Sequence, residues 1–289
     1  MIKTYRRRHD RTDTNDDFWA ELWARQVLSD EYVDGVKWDE YPRVFARHLR
    51  GNALVLEAGC GLGKYLVHLQ RKGHRVVGVD LDQGALVRAH QYDNSLTLSA
   101  ADVGCLPFPD AVFDAYVSLG VIEHFEAGFS TILDEARRIL KPQGLIFVSV
   151  PYLHLLRRLG LPRPSDGLYR RAGSALLDAN GPYCTFYQYV FTKEEMVQAI
   201  GDAGFVVLET AYSGRLRWFL NLGQVRRWRA RLHPSSNGAG MAVRSSAVSA
   251  GSRCRVRVRG WLKSLALLGQ TVVPGWLSGH TIVVVGRLE

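Results

Sequence analysis

The residues best suited to chemistry lie between Leu54 and Gly63, where an acid precedes three glycines at alternate positions. The acid is Glu57, and the glycines are Gly59, Gly61 and Gly63. Glycine adopts positive φ angles without strain, so such a turn brings the backbone close to a ligand. The apolar residues before the turn predict a buried strand, and those after it predict a helix whose first N–H groups face the ligand. Glu57 predicts that this ligand carries an ammonium group.

A dinucleotide site is the alternative that a glycine-rich turn first suggests. That pattern requires its third glycine three residues after the second. Lys64 occupies this position, and the third glycine falls one residue earlier, at Gly63. An acid at position 57 would also repel a pyrophosphate. We therefore expect a cationic or zwitterionic ligand, and a nicotinamide-dependent oxidoreductase stays open as an alternative that tight dinucleotide binding would support.

Two more acids follow the next two predicted strands. The run 74–80 predicts a buried strand ending in Asp80, and 95–100 predicts a strand followed by Asp102. In a doubly wound sheet, an acid at the end of the second strand accepts hydrogen bonds from a ribose. Asp102 and the N–H of Val103 are suited to an adenine edge, which offers an exocyclic amine and a ring nitrogen. The alternative for Asp102 is that it only caps the following turn.

Together with these acids, the turn Leu106-Pro107-Phe108, the run Glu123-His124-Phe125 and the turn 140–144 resemble the class I S-adenosylmethionine-dependent methyltransferases, in their small-molecule branch. The resemblance extends over about residues 50–150. It implies an α/β fold with a doubly wound, mostly parallel seven-stranded sheet, N-terminal helices and helical insertions. It also implies that S-adenosyl-L-methionine is the cofactor. The cofactor-binding residues that it implies are Glu57, Gly59, Cys60, Gly61, Gly63, Asp80, Leu81, Asp102, Val103 and Leu119.

His124 is the candidate catalytic residue, because it follows the fourth core strand at the edge of the sheet where ligands bind. A neutral imidazole there would accept the proton that an alcohol loses on methylation. The alternative, which we favour slightly, is that His124 anchors its loop. Tyr183 and Tyr187 lie in an aromatic run and are the candidate substrate-binding residues. The Asn/Asp-Pro-Pro-aromatic turn of enzymes that methylate amino groups of nucleic acids is absent after the fourth strand.

The chain divides into three predicted parts. Residues 1–50 form an N-terminal helical lid, in which the first 15 residues are polar and expected to be loose. Residues 51–212 and 279–289 form the cofactor-binding core, with 151–191 as a substrate lid. Residues 213–278 form a basic, partly flexible helical insertion, where this sequence departs most from the family.

The formal net charge of +9 is concentrated near the end of the chain. No Asp or Glu lies between Glu209 and Glu289, while 13 Arg and Lys residues do. The predicted helices within 215–268 are suited to peripheral contact with an anionic membrane; packing against each other or against the sheet is an equal alternative. The four cysteines have no paired spacing, so neither a zinc site nor a disulfide framework is indicated.

These features predict a cytoplasmic enzyme, with peripheral contact at the inner face of a membrane. No apolar run approaches the ~20 residues of a spanning helix, and the basic N-terminus lacks the apolar core of a secretory signal. The predicted reaction is methyl transfer to oxygen of a small-molecule, glycan or lipid-linked acceptor, with no metal and no nucleic acid as partner. A nucleic-acid methyltransferase and a non-catalytic binding protein that retains the cofactor fold stay as alternatives. The sequence leaves the acceptor and the oligomeric state open.

Overall fold

The computed structural model describes residues 1–7, 15–154, 170–171, 184–214 and 280–289. The strands within these ranges are β1 (Ile2–Arg7), β2 (Leu54–Ala58), β3 (Arg75–Asp80), β4 (Thr97–Ala100), β5 (Phe113–Leu119), β6 (Leu140–Pro151), β7 (Arg170–Arg171), β8 (Cys184–Val190), β9 (Phe205–Ser213) and β10 (Thr281–Leu288). The α-helices are α1 (Asn15–Arg25), α2 (Asp30–Asp34), α3 (Tyr41–His48), α4 (Lys64–Arg71), α5 (Gln83–Tyr92), α6 (Ser130–Ile139) and α7 (Lys193–Asp202). Two 3-10 turns span Gly35–Trp38 and Ile122–His124.

The main sheet has seven strands in the order β4-β3-β2-β5-β6-β10-β9. The pairs from β4 to β6 are all parallel, whereas β10 is antiparallel to both β6 and β9. The chain thus runs outward in one direction from β2 to β4 and then in the other direction from β5. This topology confirms the predicted doubly wound, mostly parallel sheet, including the last strand antiparallel between the fifth and sixth core strands.

Helices cover both faces of the sheet, because parallel strands need crossover connections that return across a face. On one face, α2, α3, α4 and α5 contribute Val33, Phe45, Leu66 and Leu86 to one hydrophobic cluster. On the other face, α6 and α7 contribute Leu133, Met196 and other residues to a second cluster. The central strands β2, β5, β6 and β10 are therefore largely buried on both sides, as their continuous apolar runs predict, whereas the edge strands β4 and β9 are only partly buried.

The register of the strands brings their carboxyl ends to one edge. Ala58 at the end of β2 pairs with Val79, and Asp80 at the end of β3 pairs with Ala100. On the other side, Leu119 at the end of β5 pairs with Ser149. Loops that follow β2, β3, β4 and β5 consequently meet at this edge, which is where a doubly wound sheet binds its ligand.

The prediction that the N-terminus is loose is wrong for its first residues. Ile2–Arg7 form β1, which pairs antiparallel with β7 and β8 in a separate three-stranded sheet. Thr4 Oγ1 donates a hydrogen bond to the carbonyl of Gln188 at 2.8 Å, and the Tyr5 ring packs edge-on against Phe186. The aromatic run of the predicted substrate lid is thus a strand paired with the N-terminus.

The boundaries of other elements differ slightly from prediction. Helix α4 begins at Lys64, one residue after the last glycine of the turn, because Gly63 has a φ of +71° and precedes the helix as its left-handed cap. Strand β6 begins at Leu140, but Phe113 pairs with Leu140 and Ala115 with Leu145, so the predicted turn 141–144 bulges out of the ladder. The five-residue helix α2 was not predicted.

Tyr183 and nearly all of the predicted basic insertion lie outside the described residues. The proposed membrane-binding helices within 215–268 therefore stay a prediction, as does the division of the chain into lid, core and insertion. Among the helices of the described ranges, none has the length and apolar character needed to cross a membrane.

Candidate functional site

The turn between β2 and α4 is held against the end of β3 by its own backbone. Gly59, Gly61 and Gly63 have φ angles of 76°, 51° and 71°, a region that favours glycine. The N–H groups of Gly59 and Cys60 both donate to the carbonyl of Val79, at 2.8 and 2.9 Å. Cys60 itself is buried, and burial raises the pKa of its thiol well above the ordinary value. Cys60 stabilises the turn through its backbone N–H.

Asp80 fixes the same turn through its side chain. Its Oδ2 accepts a hydrogen bond from the N–H of Gly61 at 2.7 Å, and its Oδ1 accepts one from the N–H of Asp82 at 2.9 Å. Burial raises the pKa of Asp80, against the effect of these two bonds. Each carboxylate oxygen has a second lone pair, so the side chain can still accept bonds from two hydroxyl groups.

Glu57 lies at the end of β2 with only 3% of its surface exposed. Burial raises its pKa to about 8, the charge of Asp80 adds to this effect, and the charge of Lys64 opposes it. Among the residues that the structure describes, its Oε2 has no hydrogen-bond partner. A buried carboxyl oxygen without a partner carries a desolvation cost of ~1–3 kcal/mol, which a ligand ammonium would offset. The site thus fits the amino-acid end of S-adenosylmethionine.

Leu81 and Asp102 follow the neighbouring strands β3 and β4. Leu81 is 63% exposed directly after the buried end of β3, and it can cover one face of a purine. Asp102 Oδ1 accepts a hydrogen bond from the N–H of Gly104 at 2.8 Å. Asp102 therefore caps the following turn, and its carboxylate still has lone pairs on both oxygens that could accept a bond from a ligand.

Aromatic side chains from α1 and β8 cover the turn. Carbon Cζ2 of Trp23 lies only 2.7 Å from where a Cβ on Gly61 would be. Trp19, one helical turn earlier, stacks on Trp23 and on Tyr187. Helix α1 therefore lies across the glycine turn, which gives Gly61 a steric reason to lack a side chain in addition to its φ angle.

His124 lies at the end of the 3-10 turn after β5, edge-on to Trp19 and Tyr187 at 4.7 and 5.0 Å between ring centroids. Its Nδ1 is 2.6 Å from the carbonyl oxygen of Tyr187. Since a carbonyl only accepts, Nδ1 carries the proton and Nε2 presents its lone pair. Burial lowers the pKa of His124 to about 4. The imidazole is therefore neutral, and its Nδ1–H is bound to the backbone of β8.

The neighbouring Glu123 was not predicted as a site residue. It is 2% exposed, burial raises its pKa to about 8, and its Oε2 has no hydrogen-bond partner. Its Oε1 is 3.8 Å from His124 Nε2. With both groups uncharged near neutral pH, this contact is not an ion pair. The signal that could have found Glu123 is its place: an acid directly after an apolar strand, beside the candidate base.

The predicted residues thus fall into two groups. Glu57, Asp80 and the three glycines share one turn, and Asp102 with Val103 follows β4 at the same edge; Leu119 ends β5 beside them. His124 and Tyr187 form the second group, on the β5 side. A surface cavity of about 600 Å³ lies elsewhere, lined by residues such as Ala111, Arg138 and Leu288 near the opposite edge of the sheet. It contains none of the predicted site residues.

Comparison with known proteins identifies this arrangement. Residues 56–148 match the family model described as "Methyltransferase domain". A Mycolicibacterium smegmatis protein named as an S-adenosylmethionine-dependent methyltransferase is 34% identical over 99 residues, which are 34% of this chain and 37% of that protein. Residues 56–148 therefore belong to the class I S-adenosylmethionine-dependent methyltransferases, and S-adenosylmethionine is the cofactor of this domain.

Other relatives differ in the acceptor that their names give. The demethylmenaquinone methyltransferase of Symbiobacterium thermophilum is 30% identical over 136 residues, covering 42% of this chain and 53% of that enzyme. A human protein named as tRNA methyltransferase 9B is 32% identical over 132 residues, covering 41% of this chain and 26% of that protein. The chain thus spans between about a quarter and a half of the length of these relatives.

Solved structures share the fold over nearly the whole chain. A Haloferax volcanii chain from a complex of the Trm112 methyltransferase activator with a methyltransferase has a TM-score of 0.55 at 19% identity, covering 93% of this chain and 96% of that chain. The Burkholderia thailandensis 1,6-didemethyltoxoflavin-N1-methyltransferase, solved with S-adenosylhomocysteine, has a TM-score of 0.50 at 18% identity, covering 96% and 91%. At this identity the similarity establishes the fold alone.

Proposed function

We propose that the protein transfers a methyl group from S-adenosylmethionine to an oxygen atom of a small-molecule, glycan or lipid-linked acceptor. The observation that carries this proposal is His124, held neutral with its Nε2 lone pair presented beside a wall of aromatic rings, at the edge that also carries the cofactor residues. A neutral imidazole among apolar rings suits an uncharged substrate whose hydroxyl group is to be methylated.

The cofactor residues are assigned by their chemistry. Glu57 would hold the ammonium group, Asp80 the ribose hydroxyls, and Asp102 with the N–H of Val103 the adenine edge. S-adenosylmethionine supplies a methyl group that is already activated by a sulfonium centre, with a neutral leaving group. The task left to the chain is to place the acceptor oxygen within ~3–3.5 Å of that methyl group and to remove its proton.

His124 would remove this proton. The acceptor hydroxyl donates to Nε2, and the proton moves to Nε2 as the oxygen is methylated. The imidazolium that forms is stabilised through Nδ1–H and the carbonyl of Tyr187. Because burial keeps the pKa of His124 near 4, the proton then leaves readily to solvent and the neutral base is restored.

The test is to incubate the protein with methyl-labelled S-adenosylmethionine and an extract of the cells that make it. We expect label in the low-molecular-weight or lipid-soluble fraction, together with S-adenosylhomocysteine. Asp80→Ala should weaken cofactor binding at least tenfold. His124→Ala should lower the rate of labelling while leaving the cofactor Kd within about twofold. If no S-adenosylhomocysteine forms with any fraction, the protein is a non-catalytic relative.

A nucleic-acid acceptor is the second candidate. The similarity to a protein named as a tRNA methyltransferase and the 13 basic residues between Glu209 and Glu289 favour it. If label enters the RNA fraction, and if binding of RNA weakens steeply with added salt as phosphate contacts require, this candidate replaces the first.

Contact with an anionic membrane surface is a proposal from the sequence of 215–268 alone. Vesicles that contain phosphatidylserine should sediment with the protein, and vesicles of phosphatidylcholine should not. Equal binding to both, or to neither, contradicts it.

A further inference from the structure

Three aromatic side chains form a row of nearly parallel rings, here called the ring row: Tyr187, Trp19 and Trp23. Trp19 stacks on each of the other two with ring centroids 6.3 Å apart. The interplanar angles are 24° between Trp19 and Tyr187 and 26° between Trp19 and Trp23. Phe18 packs edge-on against Trp19 and Tyr187. Flat ring faces at such a regular spacing are a shape that a flat ligand can match.

The ring row connects the two halves of the site. Its Trp23 end lies over Gly61 of the cofactor turn. At its Tyr187 end, His124 stands edge-on to both Trp19 and Tyr187. A group stacked against Trp19 and Tyr187 therefore lies beside the His124 ring.

The rings of α1 are not part of either hydrophobic cluster of the core. None of the described side chains of α1, from Asp17 to Arg25, is fully buried. These rings therefore lie outside the packed core.

Glu123 and His124, beside the Tyr187 end of the ring row, carry no charge near neutral pH, because burial keeps Glu123 protonated and His124 neutral. An acceptor with a phosphate or carboxylate at this position would be desolvated without a counter-ion, which is costly. A flat neutral ring, by contrast, gains favourable stacking with each ring that it contacts, beyond the area it buries.

We propose that the methyl acceptor is a flat, conjugated ring bearing a hydroxyl group, bound against Trp19 and Tyr187 with the hydroxyl directed to His124 Nε2. This inference rests on the proposed function and narrows its acceptor. A pyranose or an acyl chain presents a puckered or flexible surface and would use the ring faces poorly.

The test compares 2-naphthol with decahydro-2-naphthol, which has the same carbon skeleton and hydroxyl group but is not flat. Binding of each to the full chain is measured by calorimetry with S-adenosylhomocysteine at saturation. We expect 2-naphthol to bind at least tenfold more tightly. Equal affinities, or tighter binding of the saturated alcohol, would overturn the inference. Hydrophobic contact alone would give no preference, or a preference for decahydro-2-naphthol.

Variants at Trp19 and Tyr187 show whether these two rings cause the preference for the flat alcohol. Trp19→Leu and Tyr187→Leu should each remove most of the preference for the flat alcohol, whereas Trp19→Phe and Tyr187→Phe, which keep a ring, should retain it. A preference that survives both leucine variants places the flat ligand elsewhere and overturns the inference. Should a leucine variant not fold, the comparison of the two alcohols on the unaltered chain still decides.

The affinity for S-adenosylhomocysteine, measured first, separates the two proposals. If it binds and neither alcohol does, the inference fails while the proposed function stands. If it does not bind, the proposed function fails before the acceptor is considered.

Discussion

Glu57 and Glu123 are two buried carboxyl groups at the same edge of the sheet, each with one oxygen that lacks a hydrogen-bond partner. Burial raises the pKa of both to about 8. Their surroundings differ, since Glu57 lies near Asp80 and Lys64 in the cofactor turn and Glu123 lies against His124. Two carboxyl groups with the same shift can therefore be assigned different tasks, a cofactor contact for one and support of the acceptor side for the other.

Because the pKa of Glu57 is raised, we expect cofactor binding to release a proton. At pH 7 the free protein holds Glu57 mostly protonated, because its pKa is about 8. An ammonium group beside the carboxylate favours the charged form and lowers this pKa, so the proton leaves on binding. Calorimetry of S-adenosylhomocysteine binding at pH 7, in two buffers of different ionisation enthalpy, should show close to one proton released.

Glu57→Gln provides the matched comparison, since the amide keeps the shape and cannot ionise. This variant should bind S-adenosylhomocysteine at least tenfold more weakly and release no proton. If the unaltered protein releases none either, Glu57 does not meet the ammonium group.

Glu123 predicts that the protein loses stability as the pH rises. Its folded-state pKa of about 8 lies above the ordinary value of 4.5, so between these values the folded state keeps a proton that the unfolded state loses. The free energy of unfolding therefore falls across this window. Glu123→Gln removes this effect and should be more stable than the unaltered protein by about 1 kcal/mol or more at pH 9, since one pKa unit corresponds to about 1.4 kcal/mol.

Urea unfolding at pH 5 and pH 9 measures this difference. The advantage of Glu123→Gln should be small at pH 5 and larger at pH 9. Glu126→Gln, at a side chain that is 55% exposed, should show no such change with pH. An advantage of Glu123→Gln that is equal at both values means that the folded state does not hold the proton.

At the scale of elements, the order of strands and turns from β2 to β6 was predictable because each strand is a continuous apolar run that ends in a chemically distinct residue. Glu57, Asp80 and Asp102 follow three such runs, so the topology alone brings them to one edge. Strand β1 gave no such signal. It is a short polar strand whose partner Gln188 lies 184 residues away, and no local pattern reports a pairing at that distance.

The contact of Trp23 with Gly61 and the burial of Glu123 were not predictable for a related reason. Both depend on how α1 and the 3-10 turn dock on the sheet, and helical periodicity gives the apolar face of a helix but not its position. Arg88 of α5 fixes part of this docking. Its guanidinium donates hydrogen bonds to the carbonyls of Trp23 and Gln26 at the end of α1.

We therefore expect Arg88 to keep α1 in place against the cofactor turn. Arg88→Ala leaves two carbonyls at the helix end without their charged donor, and hydrogen bonds to charged groups contribute ~1.5–3 kcal/mol each when buried. Since Arg88 is only half-buried, we expect a smaller loss, about 1–2 kcal/mol, or a 5- to 30-fold weaker affinity for S-adenosylhomocysteine. Stopped-flow tryptophan fluorescence should show faster dissociation.

Arg88→Lys is the comparison for charge alone. It keeps a cation but cannot donate to both carbonyls with a planar fork, so its affinity should fall between those of the other two proteins. Unchanged dissociation in Arg88→Ala means that α1 does not hold the cofactor in place.

At the scale of the whole molecule, the cover of the site combines the N-terminal elements β1 and α1 with strand β8, which lies far from them in the sequence. Helix α1 follows β1 along the chain, and β1 pairs with β8, which carries Tyr187. Tyr187 in turn holds His124 through its carbonyl and stacks on Trp19 of α1. The three-stranded sheet and α1 thus form one connected cover, joined to the seven-stranded sheet through His124 among other contacts.

This connection predicts that removal of residues 1–7 affects His124 and leaves the cofactor turn intact. Without β1, strand β8 loses its pairing from Cys184 to Val190 and the contacts of Thr4 and Tyr5. We expect amides of 184–190 to exchange with deuterium at least tenfold faster in the shortened protein. The affinity for S-adenosylhomocysteine should stay within about threefold, because β1 pairs with β7 and β8 in a sheet separate from the one that carries the cofactor turn.

The pKa of His124 provides a second measure of the displacement of β8. In the full chain burial lowers this pKa to about 4, and a displaced β8 would admit water, so NMR titration of the shortened protein should show it returning towards the ordinary value of about 6.5. Arg43→Ala, which removes a side chain that is 59% exposed on α3 and leaves the pairing of β1 with β8 in place, should alter neither exchange nor titration. If exchange rises while the His124 pKa stays near 4, the core alone buries this imidazole, and the cover acts on the acceptor without setting the state of the base.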